Sequence, residues 1–234
     1  TNNMRKRGLL VVLTILLSFL HIQSASALDR YITITSSGTI KVKPDTVRIN
    51  VTSWATGNSS ALALDQAKST SSKVRTLLSN LSIKSEYLKS SSLNVFPEYN
   101  YTPDKGSVLL DYKASQSFEI IVRAANNAGQ IVDGLVEVGG NNLSIEGVTP
   151  YLYDPSVASE SARITAVKAA KLKVASYAKL LGTRIGKITY LEESASPNTY
   201  PLMMAQAKSD AGATVIDLGT QDLTVTITTR WALL

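Results

Sequence analysis

The sequence contains no cysteine and a single histidine, His21, among its 234 residues. That histidine lies in an N-terminal stretch with the marks of a secretory signal, so the expected mature chain holds neither residue type. Met4 is followed by Arg5, Lys6 and Arg7, and then by an apolar run from Gly8 to Leu20 interrupted only by Thr14 and Ser18. Ala25-Ser26-Ala27 supplies small residues at the cleavage positions. A membrane-spanning helix needs roughly 18 apolar residues, more than this run provides. A lipoprotein anchor needs a cysteine at the cut and is excluded. The expected boundaries are a signal over residues 1–27 and one domain over residues 28–234.

These absences limit the chemistry. Ser-His-Asp and Cys-His nucleophiles, zinc sites of the Cys/His kind, haem held by histidine and thiol redox reactions are all removed from the mature chain. Carboxylate chemistry, a Ser-Lys pair, calcium or magnesium on oxygen ligands, or no catalysis remain. No Asp-x-Asp-x-Asp-Gly calcium loop is present, and neither a cofactor nor a metal is expected. The charge excess is also small once the signal is set aside. The full chain has 24 Lys+Arg against 18 Asp+Glu, and three of the basic residues are Arg5, Lys6 and Arg7. A mature excess of about three positive charges gives no expectation of nucleic-acid binding.

What is present reads as an α+β chain. Ile32 and Ile34, then Ile40 and Val42, alternate with polar residues, with Ser37-Gly38 as a break. Lys43-Pro44-Asp45 turns the chain, and Val47, Ile49, Val51 and Trp54 continue a strand. After Gly57 the period changes: Asn58, Ser59 and Ser60 offer N-caps, and Val74, Leu77, Leu78 and Leu81 mark one face of a helix. Leu93 to Tyr101 and Tyr112 to Arg123 read as strands around a Pro103-Asp104-Lys105-Gly106 turn. Ala128 to Val138 reads as a shorter helix and Leu143 to Tyr153 as a further strand. The order from Thr46 to Tyr153 is β-α-β-β-α-β, the split pattern of a ferredoxin-like sandwich, with an antiparallel sheet and helices packed on one face.

A long C-terminal helix, Pro155 to Leu181, follows. Its alanines permit close approach of another backbone, and Leu172, Tyr177, Leu180 and Leu181 are expected on the buried side. Two further strands, Lys187 to Leu191 and Leu223 to Thr229, are expected to complete the sheet. Between them Ser194 to Thr214 has no period, and Leu202, Met203 and Met204 within it suit an adaptable contact surface.

At this point the residues resemble the SIMPL-domain family, whose bacterial members include periplasmic proteins and an immunogenic periplasmic antigen. The resemblance rests on Gly38 to Asp45, on Leu93-Asn94-Val95-Phe96-Pro97-Glu98-Tyr99, and on Ala162-Arg163 through Ala166, Lys171, Tyr177-Ala178, Gly182, Gly186-Lys187 and Glu192. It implies an envelope protein and members that assemble, and it brings no catalytic residue.

The catalytic candidates are weak on their own chemistry. Gly182 to Lys187 has a helix before it and a strand after it, the reverse of a phosphate loop. Ser176 and Lys179 have the Ser-x-x-Lys spacing, but the serine lies near a helix end and no Lys-Thr-Gly partner appears. Glu192 and Glu193 are adjacent on a strand and point to opposite faces. Arg163, Lys168, Lys171, Lys173 and Lys179 make the long helix basic, either as a solvated face or as a surface for anionic lipid or polysaccharide. Phe96, Tyr99, Tyr101, Tyr112, Tyr151 and Tyr153 are read either as cross-strand packing or as an aromatic contact surface.

The C-terminal strand ends in Trp231, Ala232, Leu233 and Leu234, an apolar tail on what is expected to be an open sheet edge, which either folds back onto its own core or, the favoured reading, packs against a neighbouring copy. The expectation is therefore an exported, non-enzymatic envelope protein that works by self-assembly or binding, in stress protection. A homo-oligomer is expected, with Leu202, Met203, Met204, Trp231, Leu233 and Leu234 as the assembly surface and Lys168, Lys171 and Lys179 as the anionic-ligand surface. The alternative is a hydrolase or ligand-binding enzyme using carboxylates or Ser176 with Lys179.

Overall fold

The computed structural model describes residues 30–194 and 213–234. The expected signal over residues 1–27, and Leu202, Met203 and Met204, lie outside the described residues. The elements are β1 (Tyr31–Val42), β2 (Thr46–Gly57), α1 (Ser60–Asn80), β3 (Leu88–Thr102), β4 (Gly106–Val122), α2 (Ala128–Gly139), β5 (Leu143–Tyr151), α3 (Ser156–Leu180), β6 (Ile185–Ser194) and β7 (Gln221–Leu233). Among the described residues, no helix is long and apolar enough to cross a membrane. Contacts group the chain into two compact units, residues 37–166 with 213–225 and residues 30–36, 167–194 and 226–234.

In the larger unit the β-α-β-β-α-β core forms one antiparallel sheet in the order β3-β4-β2-β5. The period of two in β2 decides which residues go inward: Val47, Ile49, Val51 and Ala55 are buried, while Arg48, Asn50, Thr52 and Trp54 lie on the other face and stay partly exposed. Phe118, Ile120 and Val122 from β4, Val74 and Leu78 from α1 and Ile131 and Leu135 from α2 complete the core. Side chains of this size contribute about 1.5–3 kcal/mol each when fully buried. Ser59 caps α1, its hydroxyl accepting from the Leu62 amide at 3.2 Å. One buried polar pair, Ser53 with Ser71 at 2.7 Å, ties α1 to β2, and each hydroxyl thereby meets its partner.

The chain returns along α2, where Thr214 gives its amide to Asp133 at 3.0 Å and also bonds the same carboxylate through its hydroxyl. Ile216 and Leu218 then pack on the core.

Ser37-Gly38 is not a break. β1 runs through it, and a side chain at Gly38 would place its β-carbon 2.0 Å from the Ala162 carbonyl oxygen and 2.5 Å from the Ala166 amide nitrogen. The glycine meets the alanine-lined first half of α3 backbone to backbone, with Ala162 and Ala166 fully buried there.

In the smaller unit β7 lies between β1 and β6. This corrects the expectation that the last two strands complete the first sheet; they build a second, three-stranded one with β1. Ile34, Ser36, Ile227 and Thr229 are buried, as are Ala170, Val174 and Ala178 of α3. The Thr229 hydroxyl donates to the Ile34 carbonyl at 3.2 Å, and Lys173 gives its ammonium to the Thr35 carbonyl at 2.9 Å. On the other face Arg230 stacks on Tyr31 at 4.5 Å and reaches Tyr190 at 5.7 Å.

The bulky residues of α3 are a second correction. Leu172, Tyr177, Leu180 and Leu181 are all exposed, and the buried stripe is made of alanine and valine. Small residues let a helix seat closely, so the inward face is chosen by fit and not by size.

Candidate functional site

The catalytic candidates do not converge. Ser176 and Lys179 are exposed on the last turns of α3. Gly182, at φ +62°, ends that helix in the left-handed conformation, which accounts for its place without any phosphate. Glu192 accepts from the Tyr190 hydroxyl. Among the described residues, no group of three Asp, Glu, His or Cys side chains could hold a metal ion.

Two cavities lack convergent acids and bases. One, of about 420 Å³, is lined by Ser69, Ser72, Lys73, Thr76, Leu77, Asn80 and Val138. The other, of about 250 Å³, opens between the end of α1 and the start of α2, beside Lys84, Tyr87, Arg123, Asn127 and Gln130. The groups with displaced pKa values lie elsewhere. Bonds from Thr214 lower Asp133, and the Ser156 amide lowers Asp154. Burial raises Tyr151 against the opposing charge of Arg48, and the bond to Glu192 raises Tyr190. Each is the consequence of a local structural contact.

What does stand out is the β3–β4 hairpin. β2 accompanies β4 only as far as Gly57 opposite Tyr112. Beyond that point Glu98–Thr102 and Gly106–Asp111 pair only with each other, as a two-stranded ribbon. Its turn is set by sequence: Gly106 takes φ +68°, and the Thr102 hydroxyl accepts from the Lys105 amide at 3.3 Å.

The register has Tyr99 opposite Leu109, Asn100 opposite Val108 and Tyr101 opposite Ser107, with a bulge between Glu98 and Tyr99 that leaves Leu110 unpaired. Successive pairs face opposite sides, so both faces of the ribbon carry apolar groups. Tyr99 is 59% exposed, Tyr101 75% and Leu110 59%, with Val108 and Leu109 also exposed. At the ribbon's base Phe96 lies opposite Lys113, whose ammonium sits 5.0 Å from the Trp54 ring centre and 3.8 Å from Glu98.

The aromatic group read from the sequence therefore divides. Phe96, Tyr99 and Tyr101 share β3, and Tyr112 pairs with Pro97 at the ribbon's base. Tyr151 stacks with Arg48 at 5.0 Å and Tyr153 with Arg123 at 3.4 Å, away from the ribbon. Val108, Leu109 and Leu110 were not anticipated as contact residues. Their signal was three successive aliphatic side chains just after a turn, a pattern that fits no one-faced strand.

The other expected surfaces fare unequally. Trp231 pairs with Ile188 across the sheet and gives its indole N–H to Thr229 at 3.0 Å. The Leu233 amide donates to the Arg30 carbonyl at 2.8 Å, and Leu234 exchanges backbone bonds with Arg184. The C-terminal strand is therefore central and not an open edge, which corrects the premise on which its tail was read as free to pair. Lys168, Lys171 and Lys179 are exposed on α3, and none makes an ion pair among the described residues.

Comparison with known proteins agrees with the resemblance. Residues 32–231 match the family model described as SIMPL, protein of unknown function (DUF541). Over 181 residues the chain is 25% identical to the uncharacterized protein YggE of Edwardsiella ictaluri (strain 93-146), covering 75% of each chain. The family match takes in every strand and helix described above from Ile32 to Trp231, so the chain belongs to the SIMPL family.

Proposed function

We propose that this SIMPL protein is exported and works in the cell envelope without catalysing a reaction, by self-assembly, in the service of stress protection. The observation that carries the reading is the β3–β4 ribbon. It presents Tyr99, Tyr101, Val108, Leu109 and Leu110 to solvent on both faces and adds nothing to the buried core. Covering such side chains in a contact removes apolar area from water, at about 25 cal/mol per Å², and tyrosines are enriched at contacts between chains. The partner in this reading is a second copy of the same chain. A mature chain without cysteine or histidine supports the non-enzymatic half of the proposal.

Light scattering of the mature chain is the test. The wild type is expected above monomer mass. The triple variant Tyr99→Ser, Tyr101→Ser, Leu109→Ser is expected to fall to the monomer while keeping its circular dichroism and melting temperature. A wild type that stays monomeric at high concentration, or a variant that associates as before, overturns the reading.

A further inference from the structure

α3 is built inside out for a helix that meets only water on its outer side. From Val167 onward the buried positions are Ala170, Val174 and Ala178, whereas Leu172 is 66% exposed and Leu180 78%. Lys168, Leu172, Ser176 and Leu180 follow one another at four-residue spacing along one outward row, with Lys179 beside it. Over residues 167–191 the chain has six basic side chains and no acidic one. Lys173 is occupied by the Thr35 carbonyl at 2.9 Å, but Lys168, Lys171 and Lys179 make no ion pair among the described residues.

We infer that this outward face of α3 docks on the surface of an anionic phospholipid bilayer. The two residue types ask for different surroundings, and a bilayer surface supplies both within one helix diameter. Ammonium groups sit among phosphates, and leucine side chains enter the boundary between headgroup and acyl chain, roughly 5–10 Å deep. Lysine reaches outward along its own apolar stem while the helix lies flat. A soluble polyanion would use the lysines and leave the leucines in water. A protein partner would gain from the leucines but not from lysines, which are depleted in such contacts. The inference is independent of the ribbon, since no residue is shared between the two surfaces.

Co-sedimentation of the mature chain with vesicles tests it. Binding is expected to vesicles of mixed phosphatidylglycerol and phosphatidylcholine, not to phosphatidylcholine alone, and to weaken with salt. Lys168→Gln with Lys179→Gln should weaken it about fivefold per lysine. Leu172→Gln with Leu180→Gln should abolish vesicle binding; all four positions are exposed, so circular dichroism should not change. Absence of binding to the anionic vesicles overturns the inference. So does an undiminished affinity of the leucine variant, or equal binding of wild type and leucine variant to dextran sulfate in solution with no preference for vesicles. The ribbon variant of the preceding section should bind vesicles through α3 whatever its mass, which separates failure of one reading from failure of the other.

Discussion

Gly38 and Asp133 show what single residues settle in the larger unit. A methyl group at Gly38 would meet main-chain atoms of α3 at 2.0 and 2.5 Å, and main chain cannot swing aside as the end of a side chain can. Gly38→Ala is therefore expected to cost about 3 kcal/mol, at the upper end of overpacking penalties, read as a lower midpoint in urea unfolding. A loss under about 0.5 kcal/mol would mean that strand and helix are not in contact there. From sequence alone the glycine resembled an interruption, because a position chosen for lack of volume and one chosen for a turn carry the same letter.

Asp133 holds Thr214 by two bonds that favour its ionised form, so its pKa lies below the ordinary 3.8. The clip is then complete above about pH 5 and is lost as acid protonates the carboxylate below its ordinary value. Asp133→Asn should raise the hydrogen-exchange rate of the Thr214 amide at pH 6, and the wild type should approach the variant only in acid below the ordinary carboxylate pKa. Equal exchange rates at pH 6 would remove the clip.

At the scale of elements, legibility followed periodicity. β2, α1, α2 and the inner half of β4 were readable, since each buries one periodic face in the same core. The pairing of β1 with β7 joins opposite ends of the chain, as in the contact of Thr39 with Thr224 at 2.8 Å, and no local pattern announces a partner so distant. α3 misled for a different reason. A 3.6-residue period finds a face, but the rule that bulky apolar residues turn inward fails where an alanine stripe gives the closer fit. Of the ribbon, the β3 side with Tyr99 and Tyr101 and the turn are legible, whereas the β4 side is not, because its aliphatic run Val108-Leu109-Leu110 serves two faces and a bulge at once. Both contact surfaces proposed above thus come from places where sequence rules and structure part, and that is where function is expected to override packing.

At the scale of the whole molecule, the role of the C-terminal strand decides what its removal does. In the smaller unit the last residues supply backbone bonds from Leu233 to Arg30 and between Leu234 and Arg184, and the Thr183 hydroxyl donates to the Leu234 carbonyl at 2.8 Å. At roughly 1 kcal/mol of net stabilisation for each bond, losing this end would remove about 4 kcal/mol, a large share of what holds an ordinary domain folded. Because β7 is central, β1 and β6 would also lose the strand between them. Deleting residues 231–234 is therefore expected to strip hydrogen-exchange protection from the amides of residues 31–36 and 188–194. Protection of Val47 to Val51 and of Phe118 to Val122, which lie in the core of the larger unit, should persist. Light scattering of the same protein separates this from the other role open to the tail. If the truncated chain keeps full protection in the smaller unit but falls in mass, then Trp231, Leu233 and Leu234 are a contact between copies; loss of protection at unchanged mass assigns them to the chain's own sheet.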